Sequence, residues 1–202
     1  MTRVAVVDYD MGNLRSITNA LRTVGADVTV VRGADEVRDH DRVVLPGVGA
    51  YGAAMDHLRG AGLVEALREH AQSGRPLFGI CIGFQVLFER GLEHGDHAGI
   101  GLFAGTVARF ETDLHVPHVG WNALDARPHA LWDGLPERPH VYFVHSYHPV
   151  DVDDDVVIGT AEYGERFACA VARDNVAGTQ FHPEKSGPVG LAILRNALEW
   201  SP

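Results

Sequence analysis

The sequence is poor in cysteine and has no long apolar run. Its 202 residues include two cysteines, Cys81 and Cys169, whose wide separation does not indicate a disulfide framework in a chain without an export signal. The apolar run near the N-terminus is too short for a signal-peptide core, and no other run approaches the length of a membrane-spanning helix. We therefore expect a cytoplasmic protein that has no membrane partner.

Clustered positive charge is also lacking. The chain has 27 acidic and 17 basic residues, a formal net charge of −10, and no Lys/Arg stripe that could neutralise several phosphates. This charge pattern argues against a nucleic-acid partner. At 46% hydrophobic and 22% charged residues the composition is that of an ordinary globular protein, without repeats or a Pro/Gly/Ser linker. We expect one domain over residues 1–202.

The periodicity of apolar residues changes along the chain. In the first half, short apolar runs alternate with helical patterns at about residues 13–24, 52–59 and 63–72, which predicts parallel strands joined by crossover helices. The second half consists mainly of strand-like runs and ends in an amphipathic helix at about residues 188–200. These patterns predict an α/β fold: an open, mostly parallel twisted sheet flanked by helices, with an antiparallel, strand-rich second half.

Cys81 stands at a sharp turn between an apolar strand and the segment that follows it. Gly79 and Gly83 flank it in a G-x-C-x-G pattern, which lets the backbone turn tightly and exposes the side chain at the end of the strand. We expect an amphipathic helix next, with its N-terminus directed at the thiol and favouring the thiolate. A buried cysteine in a tight packing turn explains this pattern equally well. Cys169 shares a strand face with its apolar neighbours and is expected to be a small buried residue.

His182 is the most informative of the twelve histidines. It ends an apolar run, and Glu184 follows two residues later, so that in extended backbone both side chains point to the same side. A carboxylate beside an imidazole fixes its tautomer and stabilises its protonated form, as in catalytic triads. On its own, this pattern is also typical of a solvated polar turn.

Two other patterns suggest different chemistry. Residues 46–52 match G-x-G-x-x-G, a dinucleotide-binding pattern, but the next strand ends in Cys81 where an acid should bind the ribose. An oxyanion-stabilising loop is the better interpretation of these glycines. Three H-x-x-H pairs suggest a metal, but i and i+3 point to opposite faces of a strand, which favours structural roles. The pairs are His94/His97, His115/His118 and His145/His148.

Three segments in this order, PGVG, GICIGFQ and GTQFHPEKS, resemble the class I glutamine amidotransferases over nearly the full length of the chain. Within that family, DYDMGN, VPHVGWN and YFVHSYH are most similar to the glutaminase subunits of imidazole glycerol phosphate synthases in histidine biosynthesis. Two departures from the family pattern, Ile82 and Phe84, are apolar replacements.

The resemblance implies a flavodoxin-like core, no cofactor and no metal. It also implies a heterodimer with a cyclase subunit that is a (β/α)₈ barrel, receives the ammonia through its interior, and makes imidazole glycerol phosphate and AICAR from the phosphoribulosyl-formimino-AICAR nucleotide. Alternatives that remain open are the glutaminase subunit of another synthase (anthranilate, aminodeoxychorismate or pyridoxal phosphate), a non-catalytic interaction protein with the same fold, and a redox or chaperone-like protein.

The resemblance assigns roles to particular residues. The catalytic triad would consist of Cys81, His182 and Glu184, with glutamine as the substrate. The expected oxyanion donors are the backbone N–H of Ile82 and, after a peptide rearrangement, that of Val48 or Gly49. The remaining assignments are substrate contacts at Gly49 and Gln85 and a partner-facing position for Asn13 and Lys185.

Overall fold

A computed structural model describes residues 2–200 and places an eight-stranded sheet at the centre of the fold. The strands are β1 Thr2–Val7, β2 Ala26–Val31, β3 Val43–Gly47, β4 Leu77–Cys81, β5 Phe88–Gly91, β6 His97–Ala98, β7 Phe103–Arg109, β8 His118–Ala123, β9 Asp125–Ala126, β10 His140–His145, β11 Tyr147–Val150, β12 Val157–Glu162, β13 Arg166–Arg173 and β14 Val176–Thr179. The α-helices are α1 Leu14–Thr23, α2 Ala34–Arg38, α3 Tyr51–Gly60, α4 Leu63–Gln72, α5 Ile82–Gln85 and α6 Gly187–Glu199.

The first half of the chain forms the parallel part of the central sheet. Strands β2, β1, β3 and β4 lie side by side in that order, and every pair is parallel. Strands β3 and β4 are buried along their whole length, as expected for parallel strands covered on both faces. The three helices predicted in this half are present within about two residues of the expected ends.

The second half extends the same sheet and adds two small ones. Strand β14 pairs in parallel with β4, and β13, β12 and β9 continue the sheet in antiparallel order. Strands β10 and β8 form an antiparallel pair, while β11, β7, β5 and β6 form a four-stranded sheet. The predicted α/β fold, with an antiparallel second half, is confirmed.

The prediction of an amphipathic helix after Cys81 is wrong, because the helix is short and has no polar, solvent-facing side. Helix α5 has four residues, and the chain re-enters a strand at Phe88. Every residue from Ile82 to Phe88 is buried, so the segment has no solvent-facing side. Since Phe88 pairs with Phe103 in β5 and β7, strand pairing ends the helix after one turn.

Cys169 lies in β13 and is completely buried, as expected. Burial raises the pKa of its thiol well above the ordinary value, which makes it an unreactive packing residue. Among residues 2–200 no helix is long and apolar enough to cross a membrane.

Candidate active site

Cys81 is held in a strained backbone conformation at the end of β4. Its φ of 55° and ψ of −110° are unusual for a residue with a Cβ, and such strain is typical of a nucleophile elbow. Gly83 permits the turn because a Cβ there would overlap the carbonyl oxygen of Leu45. A Cβ on Gly79 would lie 2.7 Å from the carbonyl oxygen of Gly83. The two glycines therefore let α5 pack directly against the sheet.

His182 and Glu184 meet through a turn rather than through an extended strand. Strand β14 ends at Thr179, and Pro183–Lys185 form a single 3-10 turn. That turn brings Oε1 of Glu184 to 2.8 Å from Nδ1 of His182. The expected contact is present, but the expected extended geometry is wrong, because Pro183 directs the chain into the turn. The backbone N–H of His182 donates to the carbonyl of Tyr142 at 2.9 Å, which anchors the turn.

The surroundings of His182 favour its protonated form. Burial by itself lowers the pKa, but the nearby sulfur of Cys81 and the carboxylate of Glu184 outweigh it and raise the pKa to about 10. Nε2 of His182, the nitrogen not used by Glu184, has no hydrogen-bond partner within residues 2–200. An imidazolium next to a sulfur and backed by a carboxylate is the arrangement that activates a cysteine.

Cys81 and His182 line one cavity of about 410 Å³. This is large enough for an amino acid and lies within the range of small-molecule sites. The cavity brings together residues from both halves of the sheet: Val48, Gly49, Cys81, Ile82, Gln85, Glu93, Pro117, Val144, His145, Ser146, Tyr147, His182 and Lys185. Glu184 lies behind His182 and borders a smaller pocket that also contains Asn13.

The three expected oxyanion residues all reach this cavity. Ile82 is the first residue of α5, so its backbone N–H has no acceptor within the helix. The N–H of Val48 donates to the carbonyl of Met11 at 3.2 Å, so it is not directed at Cys81 in this structure. Gly49 has a φ of 101°, a conformation that favours glycine.

Two residues near the site, one in the cavity wall and one behind Cys81, were not predicted from the sequence. Glu93 follows β5, and its Oε2 accepts a hydrogen bond from the N–H of Tyr51 at 2.7 Å, at the start of α3. Gln180 is completely buried, and its Nε2 lies 3.9 Å from Sγ of Cys81. A polar residue inside the apolar run before His182 was the available signal for Gln180. Nothing in the local sequence distinguishes Glu93 from the other acids.

The two residues expected near a partner lie at the edge of the site. Asn13 caps α1 by accepting from the N–H of Ser16 at 3.4 Å. Lys185 is exposed and lines the main cavity, and its Nζ lies 5.8 Å from the centre of the Tyr142 ring.

The H-x-x-H pairs do not assemble a metal site. Among the described residues no group of three or more His, Cys, Asp or Glu side chains could hold a metal ion. His118 instead contacts His145 at 3.0 Å, and His148 lies 3.3 Å from Glu165.

Comparison with known families defines the class of protein. The family model described as glutamine amidotransferase class-I matches residues 5–200, so the chain belongs to this family. It is 46% identical over 202 residues to imidazole glycerol phosphate synthase subunit HisH of Sulfurimonas denitrificans, with 98% of each chain covered. It is 48% identical over 199 residues to the subunit HisH of Salinibacter ruber, with 95% of this chain and 91% of that one covered. Within the class it therefore groups with the HisH subunits.

A longer relative contains a similar segment. Imidazole glycerol phosphate synthase hisHF, chloroplastic, of Arabidopsis thaliana is 44% identical over 199 residues. The match covers 96% of this chain but only 34% of that protein.

Solved structures share the fold. A crystal structure of a glutamine amidotransferase superposes with a TM-score of 0.76 at 22% identity, covering 96% of this chain and 98% of the other. The structure of PurLQS from Thermotoga maritima gives a TM-score of 0.75 at 21% identity, covering 98% and 97%. These likenesses establish the fold alone.

Proposed function

We propose that the chain hydrolyses glutamine to glutamate and ammonia with a Cys81–His182–Glu184 triad. The observation that supports this most directly is that His182 lines the same cavity as Cys81 while its Nδ1 is bound to a buried carboxylate. The sulfur attacks the side-chain amide carbon, and the carbonyl electrons move to the oxygen. The N–H of Ile82 and a rearranged N–H from Val48 or Gly49 stabilise that oxygen.

Ammonia leaves when the tetrahedral adduct collapses. His182 gives a proton to the departing nitrogen, the C–N bond breaks, and a γ-glutamyl thioester to Cys81 remains. His182, now neutral, takes a proton from water as the water attacks the thioester. The C–S bond then breaks, the new carboxyl group loses its proton to solvent, and glutamate leaves the Cys81 thiolate beside protonated His182.

The polar groups of the cavity suit the amino-acid end of glutamine. Glu93 provides a carboxylate for the α-ammonium group, although one of its oxygens already accepts from Tyr51. Oε1 of Gln85 is buried without a hydrogen-bond partner in the described part of the chain and can accept one from the substrate. Gly49 also lines the cavity and, having no Cβ, permits close approach of the substrate to the backbone.

The ammonia is used by a separate partner in this proposal. The partner is a cyclase subunit with a (β/α)₈ barrel that forms a heterodimer with this chain in the cytoplasm and receives ammonia through its interior. The relatives' names as synthase subunits, and the long Arabidopsis relative, support a partner. A single amidotransferase domain over residues 1–202 has no phosphate-binding loop for a nucleotide acceptor.

A surface suited to the partner lies beside the cavity. Val119 and Trp121 of β8 are each 55% exposed, an unusual exposure for large apolar side chains. Trp121 lies 6.2 Å from the Tyr142 ring, over which Lys185 is placed. We call Val119, Trp121, Tyr142 and Lys185 the docking face, and we propose that the cyclase binds there.

The proposed function is tested with a glutamine-analogue electrophile, Cys81→Ala and the cyclase. We expect the electrophile to label Cys81, and Cys81→Ala to lose glutamine hydrolysis while the complex still uses free ammonia. If Cys81 is not labelled when the partner is present, its catalytic role is rejected. Equal loss of both activities would indicate that Cys81 maintains the complex rather than the chemistry.

A further inference from the structure

Two buried glutamines connect the wall of the cavity to the sulfur of Cys81. Gln180 is completely buried and Gln85 is 2% exposed. Nε2 of Gln85 donates to the carbonyl of Tyr147 and to Oε1 of Gln180, each at 2.9 Å. Nε2 of Gln180 in turn lies 3.9 Å from Sγ of Cys81. The triad chemistry described above makes no use of Gln180.

The carbonyl of Tyr147 determines how both side-chain amides are oriented. A main-chain carbonyl can only accept hydrogen bonds, so the amide nitrogen of Gln85 must face it. That nitrogen also faces Gln180, which therefore presents its oxygen to Gln85 and its N–H group to Cys81. If the Gln180 amide were reversed, two N–H groups would face each other and a carbonyl oxygen would face the sulfur.

A second donor holds the same carbonyl in place. Nδ1 of His145 donates to Tyr147 at 2.9 Å, which leaves Nε2 of His145 to accept from Nδ1 of His118 at 3.0 Å. Burial lowers the pKa of His145 to about 3 and that of His118 to about 4, so both rings are neutral and each nitrogen has a defined role. The carbonyl is thus fixed from two sides.

We propose that Gln180 stabilises the thiolate of Cys81 through its amide N–H, and that Gln85 is a positioning residue that orients Gln180. The distance of 3.9 Å is at the outer limit for a hydrogen bond to sulfur, and a charged acceptor strengthens such a bond. An amide does not titrate, so this stabilisation persists at pH values where His182 loses its proton. The inference rests on Cys81 being the nucleophile of the proposed function.

The test is alkylation of Cys81 by iodoacetamide as a function of pH, followed by mass spectrometry of the Cys81 peptide. The reagent has no amino-acid part, so the result does not depend on glutamine binding or turnover. We expect Gln180→Met, similar in shape but without the N–H, to react about tenfold more slowly at neutral pH, because hydrogen bonds to charged groups are strong. In this variant, the pH at which alkylation reaches half of its maximal rate should rise by about one unit.

Thr179→Val is the matched control. Thr179 is completely buried beside Gln180, and its hydroxyl donates to the carbonyl of Phe181 rather than contacting the sulfur. We expect its alkylation profile to equal that of the unaltered chain. An unchanged profile in folded Gln180→Met would overturn the proposal and leave Gln180 as a packing residue.

Gln85→Met tests the orienting role separately and leaves the Gln180 donor in place. We expect it to slow alkylation less than Gln180→Met, and the double variant to be no slower than Gln180→Met alone, because Gln85 acts through Gln180. If the two substitutions slow alkylation additively in the double variant, Gln85 does not act through Gln180. If Gln180→Met does not fold, an unchanged profile in Gln85→Met is sufficient to overturn the proposal.

Discussion

Nδ1 of His182 lies 2.8 Å from Oε1 of Glu184, and the side chains of the two residues are only 2% and 4% exposed. The pair is thus shielded from water. In such a buried position a carboxylate stabilises an imidazolium much more strongly than it does on the protein surface. In the proposed mechanism His182 transfers the protons, and Glu184 acts only through His182.

We expect His182→Ala to lower glutamine hydrolysis by at least about 10²-fold, the lower end of the usual contribution of general acid–base catalysis. Glu184→Gln should have a smaller effect, because the imidazole remains. It should also move the alkaline limb of the pH–rate profile to lower pH, since Glu184 raises the pKa of His182. Steady-state glutamate release across pH, measured with the partner present, would show both effects. Unaltered turnover in His182→Ala would remove His182 from the mechanism.

We expect mild acid to destabilise the protein through the buried His70. His70 is buried, with Nε2 3.1 Å from the carbonyl oxygen of Pro76, and burial lowers its pKa to about 4. In the unfolded chain the histidine has its ordinary pKa of about 6.5. Between about pH 6.5 and 4 the unfolded chain therefore binds a proton at this residue more readily than the folded chain does. The contribution of His70 to folding is therefore complete above pH 6.5 and is lost as the pH falls towards 4.

This effect is isolated by comparison with His70→Gln, whose amide can still donate to Pro76. Between pH 7.5 and 5 we expect the unaltered chain to lose about 2 kcal/mol more unfolding free energy than the variant does. Urea unfolding at each pH gives both curves. Parallel curves would contradict a depressed pKa at His70.

A third expectation concerns the packing of the nucleophile elbow. Gly83→Ala places a Cβ against the carbonyl oxygen of Leu45, a backbone group that cannot move aside easily, so we expect a loss of about 1–3 kcal/mol in unfolding free energy. Gly60→Ala is the control, because a Cβ there would have no atom of residues 2–200 within 4 Å. Chemical denaturation of both variants is the measurement. Similar stability for the two would show that α5 can shift away from β3.

A fourth expectation is that the isolated chain is a weak glutaminase and that the cyclase with its nucleotide ligand activates it. The N–H of Val48 is bound to Met11 here, so an oxyanion donor has to be released by a rearrangement that a partner can favour. Glutamate release is measured for the chain alone, with cyclase, and with cyclase plus ligand. Full activity of the chain alone would refute this regulation while leaving the chemistry intact.

The docking face provides variants for the same assay. We expect Trp121→Ala to require at least tenfold more cyclase for half-maximal activation. Tryptophans that become buried when a partner binds often contribute most of the binding energy of an interface. Val30→Ala, at a 40% exposed apolar residue on the edge strand β2, is the control and should behave like the unaltered chain. Lys185 is the only lysine of the chain, so a cross-link formed by an amine-reactive reagent and located on the Lys185 peptide can additionally show whether this face meets the partner.

The sequence by itself determined the parts of the protein that depend on neighbouring residues. The valine-rich runs of β1 and β3 could be recognised as buried strands because parallel strands are apolar on both faces. The glycines around Cys81 indicated a tight turn, since only residues without a Cβ permit such close packing. The spacing of His182 and Glu184 suggested their contact, but not the 3-10 turn that creates it.

Only the tertiary structure decided which distant segments meet. Strand β14 pairs with β4 and so brings His182 to Cys81, but an apolar run does not specify its partner strand. The run at residues 140–148 divides between two sheets for the same reason. Gln180 acquires its role only where Gln85 and the Tyr147 carbonyl orient it, because a buried polar group is satisfied by whatever donors and acceptors the fold places around it.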